Sequence, residues 1–237
     1  MSVIDLSGRT PAQKQGLLSQ LVVPRPIAMI TTISADGVPN VAPFSYYMPV
    51  CGEPPTIAIT IGTRRASTEE PKDTFANIQA HDGQFVVNLT THAIRDHIET
   101  TAREYPSHVN EADVAGWTYI PSQMVTPPSL AESSAHLECV VREVITRGDE
   151  RLPYSGVHIV LAEVLCIVVD DEITDGPNRI DSTKLNVVGR MGLPYFVQAS
   201  PESIFVQERV AYQDLPDDMK FPVPDDQEGV LATGSPA

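Results

Sequence analysis

The chain has 237 residues, of which 42% are hydrophobic and 20% are charged, so it can bury a sizeable core as one domain. Its formal net charge of −15 argues against nucleic-acid and anionic-membrane partners, because their phosphates require a basic surface. The cysteines, Cys51, Cys139 and Cys166, include no Cys-x-x-Cys pair, which argues against a disulfide framework and a zinc ribbon. Because no apolar run could span a bilayer and the N-terminus lacks a signal-peptide profile, we expect a cytoplasmic protein.

The apolar periodicity of the chain predicts mostly β-strands. In chain order it indicates a helix over 11–21, strands over 26–33, 38–44 and 56–62, a helix over 73–81, a strand over 85–89, a helix over 91–103, and strands over 135–145 and 157–169. The segment 105–120 is predicted to be an irregular surface excursion. Because the strands cluster before and after the helices, this order favours a mainly β, antiparallel barrel with flanking helices over a doubly wound parallel sheet.

The C-terminal segment differs in composition from the rest of the chain. Residues 213–237 contain six acidic residues and one lysine, and they are rich in proline. Such a composition cannot bury enough apolar surface to fold and is typical of an extended or disordered arm. We therefore predict one domain over 1–212 and an acidic, proline-rich tail over 213–237.

A cluster of basic residues precedes the predicted helix 73–81. Residues 72–74 place a lysine, a hydroxyl and free backbone N–H groups at the start of this helix, which is a suitable site for an anion. Arg64 and Arg65 lie within nine positions of the lysine on an otherwise acidic chain, which suggests an anionic ligand. From charge alone, a solvated loop whose cations pair with Glu69 and Glu70 is the simpler interpretation.

Pro43 predicts that the strand over 38–44 ends or bulges at that position, because proline cannot donate a ladder hydrogen bond. The backbone groups of Phe44, Ser45 and Tyr46 would then be exposed. Alternating N–H and C=O groups of this kind are suited to a flat heterocycle that carries both donors and acceptors. An ordinary transition from strand to loop explains the proline equally well, and both interpretations stay open.

The ordered set of short motifs resembles the flavin reductase-like family, whose fold is the FMN-binding split β-barrel. The matching motifs are Arg-Pro-Ile-Ala at 25–28, Asp-Gly at 36–37, Asn-Val-Ala-Pro-Phe-Ser-Tyr at 40–46, Glu-Pro-Pro at 53–55, Lys-Asp-Thr-x-x-Asn-Ile at 72–78, Phe-Val-Val-Asn-Leu at 85–89, Pro-Pro-x-x-Ala-Glu-Ser-x-x-x-Leu-Glu-Cys at 127–139, Gly-x-His-x-Val-x-x-Glu-Val at 156–164 and Gly-Arg at 189–190. The similarity runs in register from about residue 20 to about residue 212. The set is specific for the family and unspecific for the substrate.

The resemblance implies a homodimer that binds FMN, or alternatively FAD, near the subunit interface, with NAD(P)H as co-substrate. By residue, it implies that the ring and ribityl chain are lined by Asn40, Ala42, Phe44, Ser45 and Tyr46 and flanked by Thr60, Ile61 and Gly62. It implies that the phosphate is held by Arg64, Lys72 and Thr74, and that Arg190 reaches the flavin or its phosphate. Which of Arg64 and Arg65 binds the phosphate stays open.

No catalytic side chain is obvious in the sequence, and the chemistry explains why. Hydride transfer to a flavin requires neither a protein nucleophile nor a metal, because the cofactor carries the reaction. We single out His158 as a candidate group near flavin N5 or the nicotinamide; the alternative is a strand histidine satisfied by a neighbour. The histidines show no ligand spacing with Cys, Asp or Glu, so we predict no metal.

Three functions follow from the resemblance. The first is an NAD(P)H-dependent flavin reductase that supplies reduced flavin, for example to a partner monooxygenase. The second is an electron carrier, or an oxidoreductase acting on an unknown small substrate, that keeps its FMN permanently bound. The third is a non-catalytic flavin-binding module, because a fold does not fix a function.

Overall fold

The computed structural model describes residues 1–66, 70–176, 179–208, 210–211, 214–216 and 219. The chain divides into two units, Met1–Ser203 and Ile204–Ala237. In the second unit, residues 204–208 form no helix or strand and are exposed. The predicted acidic tail lies mostly outside the described residues, so its boundary at 212/213 stays a prediction.

Within the described residues, the first unit is mainly β. The strands are β1 (Arg25–Pro26), β2 (Ala28–Ile33), β3 (Pro39–Phe44), β4 (Tyr47–Gly52), β5 (Pro55–Gly62), β6 (Gln84–Leu89), β7 (Tyr119–Ile120), β8 (Ser129–Leu130), β9 (Ala135–Arg147), β10 (Val157–Val169), β11 (Val188–Arg190) and β12 (Phe196–Gln198). The helices are α1 (Pro11–Leu21), α2 (Asp73–Ala80), α3 (Ile98–Thr101) and α4 (Glu111–Ala115), with 3₁₀ turns at His92–His97, Asp171–Ile173 and Pro201–Ser203.

Seven strands form one antiparallel sheet in the order β3-β2-β6-β9-β10-β5-β4. Its two edge strands are joined directly in the chain, because β3 ends at Phe44 and β4 begins at Tyr47. In a flat sheet, six intervals of about 4.8 Å would separate the edges by about 29 Å. Three Cα steps reach only about 11 Å. The sheet is therefore curled so that its edges meet at residues 44–47, which we call the corner.

The curled sheet encloses an apolar core. Alternate residues of β5 point inward, so that Ile57, Ile59 and Ile61 are all buried, and they pack with Phe85 of β6 and Val160 of β10. This alternation is what a strand with one buried face requires. We call this group the barrel core. Within it, Ile59 of β5 and Val160 of the neighbouring β10 are paired across the two strands.

A second apolar cluster covers the outer face of β2. Met29 points away from the barrel core and packs with Ile94, Ile98 and Trp117 from the segment that follows β6. Both faces of β2 are consequently buried. The segment 92–117 therefore acts as a packed cover over the sheet, and its side chains also reach the site described below.

The prediction of a mainly β, antiparallel fold with flanking helices is confirmed. The helix predicted over 91–103 is wrong in detail, because a 3₁₀ turn at His92–His97 precedes the short α3. The excursion over 105–120 contains α4 and part of a small two-stranded sheet, β7-β8. Strand β4 was not predicted; it is an edge strand, which tolerates its internal proline, Pro49.

Candidate functional site

A cavity of about 520 Å³ lies beside the corner and is lined there by the end of β3 and by β5. This volume is within the range of small-molecule and cofactor sites. The corner and β5 contribute one wall, the loop after β5 and Lys72 contribute a second, and α1, α3 and the segment after β11 contribute others. Of the residues predicted to bind the cofactor, the cavity is lined by Phe44, Ser45, Tyr46, Thr60, Gly62, Arg64, Lys72 and Arg190.

The corner leaves the sheet after Phe44, which still pairs with Ala28 of β2. The bulge considered at Pro43 is therefore absent, and the transition from strand to loop comes two residues later. Tyr46 accepts a hydrogen bond from the backbone N–H of Thr60 at 2.8 Å, which joins the corner to β5. This arrangement holds the backbone of residues 44–46 at the cavity wall.

Arg64 and Lys72 form a cationic wall on one side of the cavity. Lys72 is the N-cap residue of α2, and its side chain makes no capping hydrogen bond. Its ammonium Nζ lies 3.8 Å from Oε1 of Glu104. Arg64 donates from Nε to the carbonyl oxygen of Glu150 at 2.9 Å. Two cations and the start of an eight-residue helix thus face the same space.

The two consecutive arginines have different surroundings. Arg65 is only 6% exposed, forms an ion pair with Asp73, and donates to the carbonyl oxygen of Tyr105 at 2.5 Å. Its charge is therefore compensated inside the protein. Arg64 is half-buried and lines the large cavity. The geometry favours Arg64 as the residue that meets an anionic ligand.

A smaller cavity of about 80 Å³ adjoins the cationic wall, and Phe44 and Lys72 line both spaces. Three other predicted cofactor-binding residues, Asn40, Ala42 and Thr74, line only the smaller one. Tyr105 also lines it, and its buried phenol oxygen has no hydrogen-bond partner among the described residues. Buried polar groups are normally paired, so this oxygen is suited to a polar ligand atom or a water molecule.

Asn40 and Thr74 belong to a buried polar network. The hydroxyl groups of Thr32 and Thr74 each donate to Oδ1 of Asn40 at 3.3 Å, and Asn77 donates to the Thr32 hydroxyl at 3.1 Å. Asn40 donates in turn to the carboxylate of Glu111 at 2.8 Å. These side chains fix β3 against α2 and α4, so the structure gives Asn40 and Thr74 a supporting position.

Glu111 joins the excursion to the strand that leads into the corner. One carboxylate oxygen accepts from Asn40, and the other accepts from the backbone N–H of Val41 at 3.1 Å. Burial raises the pKa of Glu111, because the charged form loses hydration, and the hydrogen bonds from Val41 and Asn40 offset part of that effect. No local pattern predicts this contact, because Val41 and Glu111 are 70 positions apart.

Arg25 is a cavity residue to which the sequence analysis assigned no role, although it opens the Arg-Pro-Ile-Ala motif. It is 7% exposed, donates to the carbonyl oxygens of Ser19, Val22 and Met191, and lies over the ring of Tyr46. Burial lowers the pKa of this guanidinium. Arg25 therefore ties α1 and the segment after β11 to the corner.

Arg190 lines the cavity and forms an ion pair with Glu99 of α3, and its contact with a flavin stays a prediction. Its guanidinium carbon stands 4.4 Å from the ring centroid of Phe196, in a cation–π contact. Glu99 and Glu104 both line the cavity and place two carboxylates among its cations. Neither glutamate was predicted, because their approach depends on how the 3₁₀ turn and α3 pack on the sheet.

Two predicted site residues line neither cavity. Ile61 is fully buried in the barrel core. His158 pairs with Ile61 across β5 and β10, stacks on the ring of Phe75 with 3.9 Å between centroids, and lies 3.1 Å from the Thr146 hydroxyl. Burial lowers the pKa of His158. A catalytic role for His158 stays a prediction, and its contacts in the structure are those of a packed strand residue.

Two further features of the described residues bear on the class of protein. No group of three or more His, Cys, Asp or Glu side chains among them is placed to hold a metal ion. None of the helices in this part of the chain has the length and apolar character that crossing a membrane requires.

The fold and the site together define a curled antiparallel sheet whose edge strands, β3 and β4, are not paired with each other. A cavity lies beside the corner that joins these two strands. The model of the flavin reductase like domain matches residues 19–182, so the chain belongs to the flavin reductase-like family. A protein from Shewanella frigidimarina with a split barrel domain aligns with a TM-score of 0.69 at 19% identity, over 86% of this chain and 94% of that one. The fold is the split barrel of this family.

Other relatives are closer in sequence. An uncharacterized protein of Aquifex aeolicus is 35% identical over 186 residues, which cover 78% of this chain and 90% of the relative. Nitrilotriacetate monooxygenase component B from Bacillus cereus has a TM-score of 0.77 at 26% identity, covering 89% of this chain and 98% of that one. The 2-nitrobenzoate 2-nitroreductase of Pseudomonas fluorescens has a TM-score of 0.77 at 25% identity, covering 91% and 99%.

Proposed function

We propose that the protein is an FMN-binding oxidoreductase, and specifically an NAD(P)H-dependent flavin reductase that supplies reduced flavin. The observation that carries the proposal is the cationic wall of Arg64 and Lys72 beside the backbone of the corner, in one cavity of about 520 Å³. Family membership over residues 19–182 supports the same ligand. FAD is the alternative flavin.

The residues of the cavity fit FMN. Charge-assisted hydrogen bonds from Lys72 and Arg64 suit a phosphate, and the uncapped start of α2 adds a favourable dipole and backbone N–H groups. Tyr105, whose phenol oxygen has no hydrogen-bond partner in the described part of the chain, lines the adjoining small cavity together with Lys72. We assign the phosphate to this wall and the ring to the corner and Thr60.

In this proposal the protein binds, orients and shields, while bound FMN supplies the hydride-accepting chemistry. The corner holds donors and acceptors at a fixed wall because Tyr46 is bonded to β5. Arg25 and Arg190 also line the cavity, where Arg190 is paired with Glu99. NAD(P)H would enter the same open cavity, since no separate dinucleotide motif is present in the sequence.

We also propose that the active form is a homodimer. Edge strand β4 carries Met48 and Val50 with exposed fractions of 58% and 48%, and it lies next to the corner. An exposed apolar edge strand is a liability unless another surface covers it. A second copy of the chain, as the family resemblance implies, would bury this strand close to the cavity.

A second candidate is reduction of a small substrate by a flavin that stays bound. It is favoured by the likeness to a 2-nitrobenzoate 2-nitroreductase over 91% of this chain. The likeness to a monooxygenase component B favours the first candidate, in which a partner monooxygenase takes the reduced flavin. NADH and NADPH consumption, measured with free FMN or with a nitroaromatic acceptor, separates the two. Cytoplasmic location stays a prediction.

The test of the flavin site is Lys72→Ala, with Lys184→Ala as its control. Hydrogen bonds to charged groups contribute about 1.5–3 kcal/mol, so FMN affinity should fall by about tenfold or more. Lys184 is exposed, pairs with Asp181 and does not line the cavity, so its replacement should leave affinity unchanged. FMN fluorescence quenching measures both. Equal affinities for the two variants, or a wild type that binds no FMN, would contradict the proposal.

A further inference from the structure

Glu104 lines the cavity next to Lys72 of the cationic wall. Its Oε1 accepts a hydrogen bond from the backbone N–H of Ala66 at 2.6 Å and lies 3.8 Å from Nζ of Lys72. The two side chains are 19% and 34% exposed, so this ion pair is partly shielded from water. Glu104 and Lys72 line both the large and the small cavity. The lysine therefore meets a carboxylate of its own chain.

The ion pair between Lys72 and Glu104 makes binding of an anionic ligand at Lys72 less favourable. A phosphate that approaches Lys72 also approaches the carboxylate of Glu104, and like charges repel more strongly in a partly desolvated site than in water. Glu104 cannot simply move away, because its carboxylate also holds the backbone of Ala66 in the loop after β5. A phosphate that binds at Lys72 must therefore either displace the carboxylate of Glu104 or bind despite the repulsion between the two negative charges.

We propose that Glu104 is an affinity-determining residue of the flavin site, whose carboxylate competes with the flavin phosphate for Lys72 and keeps flavin binding reversible. The inference rests on the proposed function, because it takes FMN as the ligand of the cationic wall. It deepens that function by assigning control of the flavin affinity to one residue. A flavin that leaves readily is a substrate of the protein, whereas a flavin held tightly is a resident cofactor.

A second carboxylate in the same cavity provides a matched comparison. Glu99 pairs with Arg190 and lines the large cavity but not the small one that adjoins α2. Neutralising either glutamate changes the net charge of the protein by the same amount. An effect of Glu104 that acts through the phosphate should therefore be absent for Glu99, whereas an effect of overall charge should appear for both.

The experiment compares Glu104→Gln and Glu99→Gln with the wild type. Glutamine keeps an oxygen that can accept from Ala66, so the loop after β5 retains its hydrogen bond while the charge is removed. Dissociation constants are measured for FMN and for riboflavin, which lacks the phosphate. For Glu104→Gln we expect about tenfold tighter FMN binding and an unchanged riboflavin constant. For Glu99→Gln we expect the ratio of the two constants to stay at its wild-type value.

The outcomes separate this inference from the proposed function. If Glu104→Gln binds FMN no tighter than the wild type, or tightens FMN and riboflavin equally, the competition at Lys72 is refuted while FMN binding stands. If both glutamine variants tighten FMN by the same factor, overall charge is responsible and the inference fails. If neither the wild type nor Glu104→Gln binds either flavin, the proposed function fails together with the inference.

Discussion

The barrel core and the cavity beside the corner belong to the same curled sheet but differ in the kind of side chains that form them. The core consists of side chains such as Ile59 and Phe85, which need only be apolar and of suitable volume. The lining of the cavity includes six charged side chains, and several of them come from distant parts of the chain, such as Arg25 and Glu104. The core should therefore determine stability and the cavity should determine affinity, and variants can test whether the two separate.

The largest expected effect is on the core. Ile59→Ala should lower the free energy of unfolding by about 2–5 kcal/mol, because it removes buried methylene groups and leaves a void. Its control is Ile167→Ala on β10, whose side chain is 58% exposed and should matter by less than about 0.5 kcal/mol. Urea unfolding measures both. A loss of FMN affinity in folded Ile59→Ala would show that the core and the cavity do not separate.

A smaller loss of stability is expected at the tie between α1 and the corner. Arg25→Met removes the donor to the carbonyl oxygens of Val22 and Met191, and an unpaired buried group costs about 1–3 kcal/mol. Hydrogen exchange should accelerate in α1, which buries none of its own residues. The exposed Arg95→Met is the control. Unchanged exchange in α1 would mean that Arg25 does not hold this helix.

The pH dependence of stability should report the buried carboxyl of Glu111. Its pKa is raised in the folded state, so the folded protein binds its proton more tightly than the unfolded chain does. The contribution of Glu111 to stability is thus most favourable at a pH below the ordinary glutamate pKa of 4.5. It falls as the pH rises through the raised pKa and stays low at higher pH. The stability difference between wild type and Glu111→Gln, measured by urea unfolding from pH 4 to 8, should fall with pH. A constant difference would contradict the raised pKa.

The smallest effect is expected at His158. His158→Phe keeps an aromatic ring to stack on Phe75 and removes the titratable nitrogens. Because His158 does not line the cavity, the rate of NAD(P)H consumption with FMN should change by less than about threefold, whereas a general acid or base contributes about a hundredfold or more. A hundredfold loss of kcat would restore the catalytic role predicted from the sequence.

The regular parts of the fold were predictable because their signal is local. The alternation in 56–62 predicts β5 closely, and β10 has the predicted bounds, Val157–Val169. The helix over 11–21 is also confirmed, and its capping box between Thr10 and Gln13 is a local interaction as well. In each case a few neighbouring residues specify the element, so no knowledge of the tertiary structure is needed.

The remaining features depend on contacts that neighbouring residues cannot specify. Glu104 reaches Ala66 across 38 positions, and Arg25 reaches Met191 across 166. The motif at 40–46 contains residues that line the cavities, but it could not show that Asn40 belongs to a supporting network while Phe44 lines the larger cavity. Likewise, Gly156 and Val157 line the larger cavity, whereas the adjacent His158 lines neither cavity. The alternation of residues in this strand does not predict that difference.

The two residues between Phe44 and Tyr47 have both a structural position and a position at the cavity. The same short link joins the two edges of the sheet and lines the place where the ligand ring would lie. Lengthening it would loosen both at once, so this part of the molecule has little freedom to change. New substrate preferences would have to arise along α1 and residues 153–157, which border the same space without joining the edges of the sheet.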